Sequence, residues 1–240
     1  MSFTFEPIGI IHSCFKEKFG IPRQSGLIPE AEGQLEILPP YNRPEAFVEL
    51  QSYSHLWISF IFHQAMRDAW RPSVRPPRLG GNRRVGVFAS RSPFRPNPLG
   101  LSVVELQGVE QQGEQIVLQL GGIDLLDGTP VIDIKPYVPY CDAIPGARSG
   151  FAPEPPGAPI ELTFAPQAEA TLAQLPPQQA EQLRRLIQRI LEIDPRPAYH
   201  RNSVKRRDYG MRLYDFNIRW QVDAETVTLT RIEAFQEEPV

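Results

Sequence analysis

Proline constrains this chain more than any other residue type: 26 of its 240 residues are prolines. That is roughly twice the usual share of about 5%, and they do not gather in one low-complexity tract. They alternate with aliphatic runs, so they punctuate short strands and turns. Residues 5–13 are rich in isoleucine, residues 34–38 alternate polar with apolar, and residues 55–63 are branched and aromatic throughout. These read as strands, the last of them buried. Residues 85–89, 99–109, 116–120 and 131–134 follow as further strands. Gln111-Gln112-Gly113-Glu114 is a hairpin turn between two of them, and residues 43–50 suit a short helix. About seven short strands with few helices between them predict a mainly β fold, a closed or nearly closed barrel. A doubly wound α/β fold would need a helix between successive strands, and those helices are missing.

The pattern then changes. From residue 144 the chain is dense in Pro, Gly and Ala up to residue 159, which reads as a linker. Beyond it, residues 160–164 suit a strand. Leu183, Leu186, Ile187, Ile190 and Leu191 fall on one helical stripe, with Arg184, Arg185 and Arg189 opposite or flanking. Pro176-Pro177 suits that helix's first turn, and Asp194-Pro195 ends it. Residues 209–222 and 226–232 look like paired strands. The expected organisation is a β-barrel over 1–145, a linker over 146–159 and a small α+β domain over 160–240.

Hydrophobic residues at 41% and aromatics at 10% can build a core, so wholesale disorder is not expected. The net charge of -3 carries no overall signal for nucleic acid, so any such signal lies in the distribution of charge. Cys14 and Cys141 lie far apart, with no CxxC, which argues against a disulfide framework or structural zinc. The start of the chain lacks the pattern of a signal peptide, and the run 56–62 is far short of a membrane span. A cytoplasmic protein with no membrane partner is expected.

Charge is distributed very unevenly. Residues 63–101 hold eight arginines (Arg67, Arg71, Arg75, Arg78, Arg83, Arg84, Arg91 and Arg95), no lysine and one acid, Asp68. A solvated face usually mixes lysine and both signs. Arginine alone suggests forked recognition of phosphate or carboxylate, or stacking on bases. The bland alternative is a set of surface arginines paired with acids elsewhere. Prolines in the same segment stiffen its loops and lower the entropic cost of binding. A second stretch interleaves Arg196, Arg201, Lys205, Arg206, Arg207 and Arg212 with Tyr199, His200 and Tyr209, which suits single-stranded RNA or, equally, a solvated loop. The candidate RNA contacts are Arg75, Arg78, Arg84 and Arg95 with Arg196, Tyr199, Arg201, Arg206 and Arg207. No GxGxxG, Walker A or GxSxG motif occurs, and neither His55 with His63 nor His12 with Cys14 resembles a metal set. Asp133 and Lys135 share a face of an extended strand, and Tyr137 extends it past Pro136. A buried structural salt bridge is the competing reading of that pair.

These residues resemble the TrmO family. The resemblance rests on Pro22-Arg23-Gln24-Ser25-Gly26-Leu27, Ser54-His55-Leu56-Trp57, Arg75-Pro76-Pro77-Arg78, the specific run over residues 86–100 and Asp133-Ile134-Lys135-Pro136-Tyr137. Asp194-Pro195-Arg196-Pro197-Ala198-Tyr199 is similar to the motif of that family's C-terminal domain. The resemblance implies an S-adenosylmethionine-dependent methyltransferase acting on N6-threonylcarbamoyladenosine at nucleotide 37 of tRNA. It also implies a single-sheeted β-barrel that binds the cofactor, and a homodimer. By motif, Ser25, Gly26, Leu27, His63, Gln64, Arg91, Leu101, Gly121, Gly122, Ile123 and Asp124 would bind the cofactor. Glycines let backbone approach the adenosine, Asp124 suits hydroxyl or amino donors, and Arg91 suits the methionine carboxylate.

Methyl transfer is an in-line displacement, and the acceptor nitrogen of a urea needs its proton removed or its developing negative charge stabilised. Asp133 or Tyr137 is the candidate base, Lys135 would stabilise the deprotonated urea or orient its carbonyl, and Arg95 or an arginine of the C-terminal stretch would bind the threonyl carboxylate. A non-enzymatic RNA-binding barrel and a small-molecule binding protein are the rival readings.

Overall fold

The structure, a computed structural model, describes residues 3–156, 161–197, 200, 206–223 and 226–236. The first strands are β1 (Gly9–Ser13), β2 (Gly33–Ile37), β3 (His55–Ile61), β4 (Ser73–Val74) and β5 (Val85–Gly86). There follow β6 (Leu99–Gln112), β7 (Gln115–Gly121), β8 (Pro130–Pro136) and a one-turn helix, α1 (Pro139–Asp142). The C-terminal part comprises β9 (Glu161–Phe164), α2 (Pro166–Leu172), α3 (Pro177–Glu192), β10 (Arg207–Leu213), β11 (Phe216–Asp223) and β12 (Thr226–Ala234).

Six strands close a barrel in the order β1-β2-β7-β6-β3-β8. Side chains alternate along a strand, so one set fills the interior. Leu56, Ile58 and Phe60 of β3 pack there with Val104 of β6, Ile116, Leu118 and Leu120 of β7, and Val131 of β8. Gly100 of β6 lies opposite Phe60, and a side chain at Gly100 would run into the Phe60 ring. The glycine that ends the specific run over residues 86–100 is thus explained by close packing.

Three expectations need correction in this half. The first strand begins at Gly9, after Pro7. Residues 85–89 form no barrel strand: β5 pairs only with β4, and Val87–Ala89 is a 3-10 turn. The helix over residues 43–50 is two 3-10 turns, Pro44–Phe47 and Leu50–Ser52.

In the C-terminal part a four-stranded sheet runs β10-β11-β12-β9, with β9 parallel to β12. The expected strand over residues 209–222 is really two, β10 and β11, parted at Tyr214 and Asp215, with Tyr214 at φ 49. Helix α3 carries its buried stripe as expected (Leu183, Leu186, Ile187, Ile190 and Leu191). Helix α2, starting at Pro166, was not apparent in the sequence. Phe15 bridges Leu213, Tyr214 N donates to Cys14 O at 2.8 Å, and one contiguous core cluster spans the barrel and the C-terminal sheet.

Candidate active site

The acid–lysine pair lies on the outer wall of the barrel. In the β3–β8 ladder Trp57 stands opposite Lys135 and Ser59 opposite Asp133, but Phe60 stands opposite Val131. Residue 132 is therefore extra, a β-bulge. Val131 and Asp133 would share a face in a regular strand; the bulge leaves Val131 inside, 0% exposed, and turns Asp133 outward. Asp133 and Lys135 are ion-paired with side chains 47% and 70% exposed, which overturns the reading of a buried structural salt bridge. The Tyr137 ring lies 6.0 Å from Trp57 and 6.3 Å from His55, both outer-face residues of β3, so the row continues beyond Pro136. Trp57 in turn donates through Nε1 to Asp142 Oδ2 at 3.0 Å. With the Val138 N–H on the same oxygen, that bond holds the Asp142 carboxyl below its ordinary range. Trp57 was inside a quoted motif but was given no role; its parity with Lys135 on a neighbouring strand is invisible before pairing is known.

Several of the candidate cofactor residues are linked around the connection between β1 and β2, while Leu101 lies apart on the outer wall. Gly26 N donates to Gly122 O at 2.8 Å. Both glycines have positive φ, 75° and 64°, and a side chain on Gly122 would press at 3.4 Å on Gly26 Cα. Gln24 Oε1 accepts from Arg91. Lys18 Nζ reaches Gln64 O, beside His63, at 2.7 Å. Gly121 ends β7 at the register of Glu105, and Ile123 N donates to Ala31 O at 3.1 Å. Leu101 is 57% exposed on the outer wall opposite Ser59, in the same row as Asp133.

Asp124 is the chemically unusual member. Burial raises its carboxyl from 3.8 to about 6, partly offset by the Ser102 hydroxyl, the N–H groups of Asp124 and Ser25, and the charge of Arg91. Its Oδ1 is shielded from solvent and has no hydrogen-bond partner. An orphaned buried acceptor is costly unless a ligand satisfies it. Side-chain-free backbone at Gly26 and Gly122, an acceptor at Asp124 and a guanidinium at Arg91 fit a nucleoside bearing an amino-acid tail. Ser102 and Gln24 are the supporting residues that the sequence did not single out.

Among the described residues, none of the eight arginines of residues 63–101 forms an ion pair, which removes the bland reading of that segment. Arg75 and Arg84 are exposed. Arg78 donates to Glu154 O, and Arg67 lies 3.6 Å over the Phe94 ring. Arg95 donates to Ser90 O at 2.7 Å and Val87 O at 3.3 Å, so it holds its own loop. In the second stretch, Arg196 is bidentate on Asp194 at 2.7 and 3.1 Å, and Arg206 donates to Gln221 at 2.5 Å. Arg207 contacts His200 at 3.1 Å, with its Nε buried and unpartnered. Tyr199 and Arg201 lie outside the described residues.

The chain is thus a closed-barrel protein with an orphaned buried acceptor at the β1–β2 connection and an acid–lysine row on its outer wall. The chain belongs to the TrmO family: the tRNA-methyltransferase O N-terminal domain matches residues 10–143, and the TrmO C-terminal domain residues 157–235. It is 49% identical over 221 residues to a tRNA (adenine(37)-N6)-methyltransferase of Escherichia coli K12, covering 92% of this chain and 94% of that protein. A protein of the same name from Eikenella corrodens is 46% identical over 185 residues, 77% of this chain and 99% of its own. The crystal structure of TrmO from Pseudomonas aeruginosa superposes with TM-score 0.77 at 40% identity, covering 98% of this chain and 99% of that one. Family membership sets aside both rival readings, the non-enzymatic barrel and the small-molecule binder.

Proposed function

We propose that this protein methylates N6 of threonylcarbamoyladenosine at nucleotide 37 of tRNA, using S-adenosylmethionine. The observation that carries the reading is the convergence of Gln24–Gly26, Arg91, Ser102 and Gly122–Asp124 on one buried carboxylate with an unfilled oxygen. Ser25, Gly26, Leu27, His63, Gln64, Arg91, Leu101 and residues 121–124 would hold the cofactor, which when bound supplies an electrophilic methyl group. The catalytic unit is assigned to residues 1–145 and the tRNA-contacting unit to residues 160–240.

The chain's own residues then handle the acceptor. The Asp133 side chain, 47% exposed, is held in place by Lys135, whereas the Tyr137 ring packs against Trp57 and His55. We therefore assign the proton of the acceptor nitrogen to the Asp133 carboxylate. Lys135 stabilises the negative charge on the urea, and Tyr137 forms a wall for the base. With Arg95 committed to its own loop, the threonyl carboxylate falls to Arg206 or Arg207. The exposed apolar side chains Met66, Trp70, Phe88, Tyr140 and Ile144 support a homodimer. Among the described residues no helix is long and apolar enough to cross a membrane, and we place the enzyme in the cytoplasm, where its tRNA substrate is.

The test is transfer of tritiated methyl from S-adenosylmethionine to tRNA lacking that methyl, followed by nuclease mapping. Label confined to the anticodon-loop fragment supports the reading. Label elsewhere in the tRNA, or none with tRNA bound, contradicts it.

A further inference from the structure

The connection between β1 and β2 has two sides, and only one of them faces the cofactor residues. On that side Gly26 N bonds Gly122 O at 2.8 Å and Ala31 O accepts from Ile123 N at 3.1 Å. These two bonds hold the C=O and the N–H of a single peptide group, Gly122–Ile123, which leads directly into Asp124. Between them Ile28 and Ala31 are anchored in the core at 1% and 0% exposure. The residues flanking Ala31 point the other way. Glu30 Oε1 accepts from Arg189 Nε of α3 at 3.2 Å, and Glu32 accepts from Gln182 of the same helix. Further back along the connection, Glu17 accepts from Arg212 N of β10 at 3.1 Å. Helix α3 therefore grips the residues immediately before and after the carbonyl that holds Ile123.

We propose that Arg189 and Gln182 are positioning residues of the cofactor site, so that the C-terminal part sets the cofactor affinity of the barrel as well as contacting RNA. This rests on the reading of Ser25–Leu27 and residues 121–124 as the cofactor site. Preorganisation links the helix to the site. A loop held at Glu30 and Glu32 presents Gly26, Gly122 and Asp124 in one arrangement, and a loop freed there must be ordered by the ligand at the ligand's expense. Glu30 Oε2 is buried with no partner, so without Arg189 the carboxylate would have no counter-charge there, and the connection would shift to rehydrate it. Arg189 also pairs with Glu192 at 3.0 Å, so its loss must be separated from simple helix loosening.

The experiment is calorimetric titration of the full chain with S-adenosylhomocysteine, with a melting curve for every variant. Arg189→Ala and Glu30→Gln are each expected to weaken binding about three- to fivefold, the range of a partly exposed ion pair. The double variant is expected to lose no more than either single one. Arg189→Lys should restore most of the affinity. Arg185→Ala, on the same helix but paired with Glu181 at 2.6 Å, should bind as wild type. In steady state the Arg189→Ala enzyme should show a raised KM for the cofactor with kcat unchanged, a split that mere destabilisation does not produce. Asp124→Asn is titrated alongside. If it weakens binding while Arg189→Ala and Glu30→Gln do not, the site stands and the positioning role is wrong. If Asp124→Asn also binds like wild type, the site itself is misplaced and the positioning role falls with it.

Discussion

Two carboxylates, Asp124 and Asp133, sit in opposite environments. Asp124 is buried beside Ser102 with one oxygen orphaned, and its carboxyl is raised from 3.8 to about 6. The folded chain therefore keeps a proton that the unfolded chain releases between about pH 4 and 6. The stability contributed by this group is full below its unfolded value and is lost as pH rises through about 6. Asp124→Asn, which stays neutral, should melt above wild type at pH 7.5, by up to an amount on the order of 3 kcal/mol. The difference should shrink toward pH 5, and the variant should bind cofactor more weakly; identical melting at pH 7.5 would show that the carboxylate is not desolvated. Asp133 is the opposite case, exposed and charge-paired. Asp133→Asn should lower the single-turnover methylation rate about 10²-fold or more, as loss of a general base does, with cofactor affinity unchanged. Tyr137→Phe should cost less than tenfold; the reverse order would make Tyr137 the base. That Asp133 and Lys135 share a face was legible from period-two alternation. That the face is the outer wall was not, because the bulge at residue 132 has no local signature.

At the scale of elements, alternation and proline placement made the barrel strands legible. β2, β3, β6, β7 and β8 lie within a few residues of their expected bounds. What failed was local pattern without a partner. Residues 85–89 have the composition of a strand, yet their ladder is limited to the two residues of β4, and they curl into a 3-10 turn. Tyr214 and Asp215 carry neither Gly nor Pro, so the turn dividing β10 from β11 was read through. The candidate site was legible as separate motifs, whereas Gln24, Ala31 and Ser102 acquire meaning only once the β1–β2 connection is laid against β7. Helix α3 was read correctly because its stripe is strong, and that stripe is tied to stability. Leu186 is 0% exposed, so Leu186→Ala should cost about 2–5 kcal/mol in denaturant unfolding. A loss below about 1 kcal/mol would mean that α3 does not pack as described.

Across the whole molecule, a net charge of -3 coexists with an arginine segment whose charges are unpaired among the described residues. RNA affinity should therefore depend steeply on salt despite the acidic total. Arg75→Ala and Arg84→Ala should each lower the slope of log affinity against log salt by about 1, without changing the methylated position. An unchanged slope would remove those residues from the RNA contact. The contiguous core joining the barrel to the C-terminal sheet makes one body of the unit that would bind cofactor and the unit that would bind RNA. The most direct measurement is nucleoside mass spectrometry on tRNA incubated with the protein and S-adenosylmethionine, using tRNA with and without the threonylcarbamoyl group. One added methyl is expected on threonylcarbamoyladenosine, none on unmodified adenosine 37, and none from Asp133→Asn over the same interval. A methyl on unmodified adenosine, or no methyl on the threonylcarbamoyl substrate with cofactor bound, would contradict the proposed reaction.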